Sequence, residues 1–406
     1  MITSMIGHVG KLGFLRAAFS VPGVWGMALF VSLLIPSSLV LADAQDTVNV
    51  IAGLSRSMDD NFFRKSVAPA SETITTSYAT LSFNKQYSMQ RLNFSYTLIN
   101  NAYQNNSSLD FVSNNYRGSW EWSLTPRLVS SLSTLRAETP ITFTDATFAR
   151  KPAIATNEIQ NFVMDWTAQG GLHFLGGFTR TVALNSSNFQ PNRGNTTDSI
   201  DLGIKYAFPS GSEVTMMQHQ RQGQFANVAA NLPQSFTENE SEAKFNWLVT
   251  TKSSVNMRLG FVERLHEQAG GVDYSSRDYA DWVGDASVSW APTTKLQITA
   301  AAASSIGVYQ GGNANYSRNN SLSFNPTYAC TPKILVSGSM SVSKRIIEGT
   351  GYNPTDTTES ESLGVDWTPR RYVSLGARLQ RMSRSSSVPG SDYVDVMTML
   401  TANVNF

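Results

Sequence analysis

The chain has 406 residues, 41% of them hydrophobic and only 15% charged, and 31 basic against 30 acidic side chains leave a formal charge of +1. This balance excludes a nucleic-acid surface built on net charge and favours neither sign of ligand. One cysteine, Cys330, excludes an internal disulfide framework and reads as an incidental turn residue rather than a reactive thiol.

Residues 1–44 read as a secretory leader. Lys11 and Arg16 form a positive start, Val24 to Leu41 is almost free of charge, and Ala42-Asp43-Ala44 offers a small-x-small cleavage site. The apolar run is nearly long enough to span a bilayer, but Pro36 and the cleavage site argue against a retained helix. The expected organisation is a signal peptide over 1–44 and one exported domain over 45–406. Without Lys11, Arg16 and Asp43 that domain carries 29 basic and 29 acidic residues. No Pro/Gly/Ser-rich linker divides it, and Ser, Thr, Asn and Gln fill the place left by the missing charge.

The exported part is one repeated hairpin. Short turns recur at Lys85–Ser88, Thr125–Arg127, Ala168–Gly171, Pro209–Gly211, Thr250–Lys252, Pro292–Lys295, Thr331–Lys333 and Thr368–Arg371, about 40 residues apart. Eight such turns join sixteen strands. A first strand near Thr47–Leu54 and a last one at the C-terminus make eighteen. Between the short turns lie longer polar connections, including Ser55–Ala70, Thr139–Ile154, Ser187–Asn195, Gln222–Gln234 and Glu267–Ser276. These are placed on the extracellular side.

Along most strands polar and apolar residues alternate, the period-two signature of a half-buried strand. Tyr116, Gly118, Trp120, Trp122 and Leu124 oppose Arg117, Ser119, Glu121 and Ser123. Ala243, Phe245, Trp247 and Val249 oppose Glu242, Lys244 and Asn246. Val255, Met257, Leu259 and Phe261 oppose Asn256, Arg258 and Gly260. Ile334, Val336, Met340 and Val342 oppose Ser337, Ser339, Ser341 and Ser343. The stretch from Leu128 to Glu138 mixes both kinds on both faces. Trp122, Trp166, Trp247, Trp290 and Trp367, five of eight tryptophans, each stand just before a short turn. An indole prefers the headgroup level, with its ring in lipid and its N–H near water, so these five are expected to form a membrane girdle. Pro in the turn that follows ends the strand where the membrane ends.

The last strand, Ser391 to Phe406, puts Val394, Val396, Thr398, Leu400, Ala402, Val404 and Phe406 on one face. Tyr393, Asp395, Met397, Met399, Thr401, Asn403 and Asn405 take the other. Ending on an aromatic residue, it resembles the closing strand of bacterial outer-membrane barrels, in which a terminal Phe serves as an assembly signal. The pattern implies an all-β fold: a single closed antiparallel transmembrane β-barrel of about 18 strands in the bacterial outer membrane, with short periplasmic turns.

Three stretches carry a resemblance to a family. They are Asp59-Asp60-Asn61-Phe62-Phe63-Arg64, then Phe83 to Leu92 around the first short turn, then Asn115-Tyr116-Arg117-Gly118-Ser119-Trp120-Glu121-Trp122. In this order and spacing they resemble the EpsL-type outer-membrane proteins encoded with exopolysaccharide biosynthesis genes. The resemblance implies a channel for export or assembly of an extracellular polysaccharide. It also implies partners in outer-membrane lipid, the barrel assembly machinery, the polysaccharide and other exopolysaccharide secretion proteins, with no nucleic acid. The alternative of a different class is a general diffusion porin for small solutes.

No catalytic constellation is present, and neither a cofactor nor a metal is expected. His173, His219 and His266 lack metal-ligand spacing, and no hydrolase, metalloprotease or phosphate-loop motif occurs. His219 beside Arg221 reads as a lumen residue, and the Asp59-Asp60 pair as a turn cap rather than a cation site. The candidate pore-lining charges are Arg117, Glu121, Asp165, Lys205, Glu213, Arg221, Lys244, Arg258, Asp281, Asp285, Asp366 and Arg378. They are expected to stand in crossed rows of opposite sign that set up a field across the water. By the same parity most aromatics face outward, Tyr393 being an exception.

Overall fold

The computed structural model describes residues 47–140, 154–186, 194–226, 232–267, 274–308, 314–349 and 353–406. The leader expected over 1–44, and the middles of the connections at 141–153, 187–193, 227–231 and 268–273, lie outside them. The first six strands are β1 Val48–Asp59, β2 Glu72–Tyr87, β3 Gln90–Tyr103, β4 Phe111–Thr125, β5 Leu128–Pro140 and β6 Ile154–Thr167. Next come β7 Leu172–Asn185, β8 Gly194–Ala207, β9 Glu213–Phe225, β10 Ser235–Thr250, β11 Ser253–His266 and β12 Tyr279–Trp290. The last are β13 Leu296–Val308, β14 Ala314–Thr331, β15 Ile334–Gly349, β16 Thr355–Arg370, β17 Val373–Ser386 and β18 Tyr393–Asn405.

Each strand pairs antiparallel with its sequence neighbours, and β1 pairs with β18, so the sheet has no edge. The closing ladder runs from Ile51 opposite Asn405 to Asp59 opposite Met397. Phe406 is seated in it: its N–H donates to the Val50 carbonyl at 2.7 Å and its carbonyl accepts from the Val50 N–H at 3.0 Å. Both chain ends of the barrel therefore lie at the short-turn end. Closure matters because hydrocarbon offers no hydrogen-bond partner to a free strand edge.

The short turns stand close to where the sequence places them, with two shifts. Lys85 to Tyr87 continue β2, leaving Ser88 and Met89 as the turn, and Thr368 to Arg370 continue β16 through Pro369, leaving Arg371 and Tyr372 as the turn. β1 runs on to Asp59 rather than stopping at Leu54, because β2 and β18 both continue alongside it up to Glu72 and Met397. At the β6–β7 turn the backbone needs glycine: Gly171 sits at φ +82°, and a Cβ there would lie 2.4 Å from the Ala207 carbonyl oxygen.

The register separates two faces. Leu92, Phe94, Trp120, Leu132, Phe162 and Ile204 stand on the outer one, all exposed although they are large and apolar. An apolar surface of this kind is at home only in lipid. Trp122, Trp166, Trp247, Trp290 and Trp367 share that outer face, each within three residues of the short-turn end of its strand.

Higher up, the outer face changes character. Arg56, Arg136, Arg180, Asp198, Glu263, Lys344, Glu361 and Arg381 all point outward, eight to ten residues above the short-turn ends of their strands. Strands rising 3.4 Å per residue at a tilt of about 40° climb roughly 21–26 Å over that distance, the height of an outer-membrane apolar band. This belt also settles the stretch from Leu128 to Glu138. Its outward charges, Arg136 and Glu138, lie at belt height, where Arg136 pairs with Glu138 at 2.6 Å and with Glu158 on β6.

Candidate functional site: the lumen and its mouth

At the mouth, the first loop (residues 60–71) folds against the inner face of the wall. Arg64 Nη1 donates to Asp59 Oδ2 at 2.9 Å and lies 2.8 Å from Asp395 Oδ1. Asn61 Nδ2 donates to the Val394 carbonyl at 2.8 Å, and the Asp60 N–H to the Val396 carbonyl at 3.2 Å. These contacts cover the upper end of β18, where β1 no longer pairs with it. On its other side the loop places Phe62 against Tyr103, ring centroids 5.5 Å apart, in a small core with Leu109, Phe111 and Ile74. Tyr103, Phe111 and Ile74 all lie on inward parity, so the loop takes space from the mouth. Beneath it Glu72, 1% exposed, accepts from the Asn105 N–H at 2.9 Å and from Asn106 Nδ2 at 2.6 Å, tying down the next connection as well.

Asp59 and Asp60 cap backbone groups: Asp59 Oδ1 accepts from the Asn61 N–H at 2.9 Å and Asp60 Oδ1 from the Val396 N–H at 2.7 Å. With Asp395 they form a trio whose oxygens lie within 4.8 Å of one another. Arg64 already offers that trio a cation, so the geometry reads as a loop clamp.

The wall from β8 to β12 carries an ionic network. Glu238, Glu240 and Glu242 alternate along β10 and so share the inward face. Arg221 reaches Glu238 and Glu240, both at 2.7 Å. Arg258 reaches Glu240 at 3.0 Å, Glu242 at 3.2 Å and Asp285 at 2.7 Å. Arg264 Nε donates to Glu238 at 2.8 Å, and Lys244 Nζ lies 2.6 Å from Glu242. His219 bridges Asp201, at 2.6 Å, and Glu242, at 3.5 Å. Above the network Phe236, 1% exposed, lies under the Arg264 guanidinium, 3.9 Å from its carbon to the ring centroid, and beside Phe225 at 5.0 Å.

Every pore-lining candidate from the sequence stands on inward parity, but they do not form the expected crossed rows. Arg221, Lys244, Arg258 and Asp285 belong to the β8–β12 network. Lys205 donates to Asp165 at 2.8 Å, and Asp165 also meets His173 at 2.7 Å. Asp281 pairs with Arg318. Arg117, Glu121, Glu213, Asp366 and Arg378 have no ion-pair partner among the described residues. The reason is distance. Neighbours in a ladder stand about 5 Å apart, far closer than charges across an 18-stranded lumen, and Coulomb attraction falls with separation and with intervening water. Seven of the twelve therefore pair with neighbours along the wall between β6 and β14.

Several residues of the mouth escaped the sequence reading. Arg64 ends the Asp59-to-Arg64 stretch that carries the family resemblance, but no alternation there marks it as a clamp. Arg345 and Arg384 both grip Asp356, at 2.7 and 2.8 Å, from strands on either side. Period two alone reveals Glu238 and Glu240. Most aromatics do face outward, but at the strand tops Tyr103, Phe111, Phe225, Phe236 and Tyr279 point inward with Tyr393, and Tyr78 points inward at mid-strand. Parity carried that signal too; what was missing was the presence of inward-folded connections to cover such rings.

A closed 18-stranded barrel with an apolar exterior and an ionic lumen is an outer-membrane barrel of the porin type. The comparisons agree with that class. A family profile described as "Putative beta-barrel porin 2" matches residues 272–406. No curated protein matches. Among solved structures, Pseudomonas aeruginosa OccK2 (OpdF) aligns with a TM-score of 0.53 at 9% identity, over 89% of this chain and 98% of that one. The same porin in complex with glucuronate gives 0.52 at 9% identity, over 89% and 98% of the two chains. Pseudomonas aeruginosa OccK9 (OpdG) gives 0.50 at 12% identity, over 88% and 98%. At such identities the likeness is one of fold. The porin-like part of the family resemblance is supported by these matches, and the exopolysaccharide part is not.

Proposed function

We propose that this barrel is a diffusion channel for small hydrophilic solutes across the outer membrane. The observation that carries the reading is the first loop, clamped by Arg64 and Phe62 against the inner face of the mouth, which narrows a passage that 18 strands would otherwise leave wide. Below the loop, hydroxyls, amides and paired charges line the path. A solute hydroxyl can exchange bonds with such groups at little net cost, because each bond made replaces one with water. The porin profile over the C-terminal third points the same way. So does a porin of this fold solved with glucuronate, a small charged sugar, although that ligand belongs to the other protein.

Export of a polysaccharide rests on the resemblance of the stretches between Asp59 and Trp122 and gains no support from the mouth. In either reading the chain does no chemistry; lipid surrounds it and the assembly machinery inserts it. One deletion strain tests both. Slowed uptake of small sugars with normal secreted polysaccharide is the expected result. Unchanged uptake with lost or shortened polysaccharide would overturn it in favour of export.

A further inference from the structure

We propose that the outer face of β9 is a contact surface for a second copy of this chain. Gln218, Gln220, Gln222 and Gln224 occupy four successive outward positions on that strand, and all are exposed. The upper two lie at or above the charged belt, where polar groups are expected. The lower two do not. Gln218 and Gln220 stand five and seven residues above the strand's short-turn end, roughly 13–18 Å up, within the apolar band. Their neighbours across the β8 ladder are Leu202 and Ile200, 63% and 59% exposed, as lipid-facing residues should be.

An amide held in hydrocarbon without a partner is costly. Gln218 meets that need in part: its Oε1 accepts from the Ser241 hydroxyl on β10 at 2.7 Å, which leaves its amide hydrogens facing out. A glutamine both donates and accepts, so a row of glutamines is complementary to itself. That property singles out a second copy rather than a lipid tail, which offers nothing to bond.

Charge gives the same answer. A two-fold axis at β9 sets the strand two places to one side of one copy against the strand two places to the other side of its mate. Those strands are β7 and β11. On β7, Arg180 points outward and, among the described residues, makes only a loose ionic contact, to Asp198 at 3.8 Å. On β11, Glu263 points outward, exposed and without an ion-pair partner among the described residues. Arg180 stands eight residues above its short turn and Glu263 ten, so opposite charges meet twice in such a dimer.

The test uses the full-length barrel in bilayers with Cys330→Ser as background. Gln220→Cys should cross-link to a dimer under a short bifunctional thiol reagent. Leu322→Cys, outward on the remote β14, should not. Gln218→Leu with Gln220→Leu should lower the dimer fraction about tenfold, as loss of one or two net hydrogen bonds implies, while conductance per barrel stays the same. A wild-type barrel that is monomeric at every protein-to-lipid ratio would overturn the proposal. So would equal cross-linking at Gln220→Cys and Leu322→Cys, or a dimer indifferent to the leucines. The cross-linking arm needs no destabilised variant, so it decides the matter even if the leucine pair fails to assemble.

Discussion

Arg64, in the first loop, lies 2.8 Å from Asp395 on the last strand, so the loop that narrows the mouth is held by the strand that closes the barrel. Side chains from both ends of the sequence thereby meet at one point, and Asp59, at the top of β1, shares the same guanidinium. Closing the barrel and shaping its mouth are coupled through this contact.

Arg64→Ala should free the loop. A charge-assisted bond of this kind contributes about 1.5–3 kcal/mol, which corresponds to a tenfold or greater rise in the population of the open loop. Single-channel recordings are expected to show a larger conductance level that the wild type rarely visits. Identical traces would mean that Phe62 and Asn61 suffice to hold the loop.

The seam between the first and last strands offers a second prediction. Tyr78 on β2 reaches over Gly53 on β1 to donate its hydroxyl to Asn403 on β18 at 2.6 Å. A Cβ at Gly53 would lie 2.3 Å from the tyrosine ring. Gly53→Ala should therefore push the ring away, break the bond and cost about 1–3 kcal/mol. Tyr78→Phe, which keeps the ring and loses the bond, should cost about 1 kcal/mol. Urea titration of the folded barrel separates the two, and equal costs would argue that the ring does not depend on the missing side chain.

Inside and outside can be distinguished by charge. Leu259→Arg or Leu400→Arg, on the lipid face, should cost about 2–4 kcal/mol near the bilayer midplane. Arg258→Leu leaves Glu240, Glu242 and Asp285 short of a partner beside water and should cost about 1–2 kcal/mol. Its larger effect should be on ion selectivity, moving it toward cations. Trp166→Ala, Trp247→Ala and Trp367→Ala should each weaken the barrel by on the order of 1–2 kcal/mol. A harmless Leu259→Arg beside an Arg258→Leu that never assembles would reverse the assignment of faces.

The protein should be heat-modifiable, migrating differently on a gel before and after boiling, as a barrel that resists detergent does. Removing Phe406 should lower its level in the outer membrane, because Phe406 exchanges two backbone bonds with Val50 in the closing ladder. Undiminished levels would detach assembly from the terminal aromatic.

Much of this was legible in the sequence because a strand's side chains alternate with a period of two, whatever surrounds it. Parity placed Leu259 outside and Arg258 inside, and the spacing of WSLTPR, DWTAQG and DWTPRR around Trp122, Trp166 and Trp367 counted the hairpins. The even strand number then put both ends on the short-turn side. What alternation does not contain is which residues come close across the ladder, since that depends on register. Hence Glu238, Glu240 and Arg258 became one network only when β9, β10 and β11 were aligned, and seven of the twelve expected lumen charges were seen to pair along the wall rather than stand in rows. Nor does alternation reach into a loop. Arg64 has no periodic neighbours, and its meeting with Asp395, 331 residues away, exists only because the barrel closes.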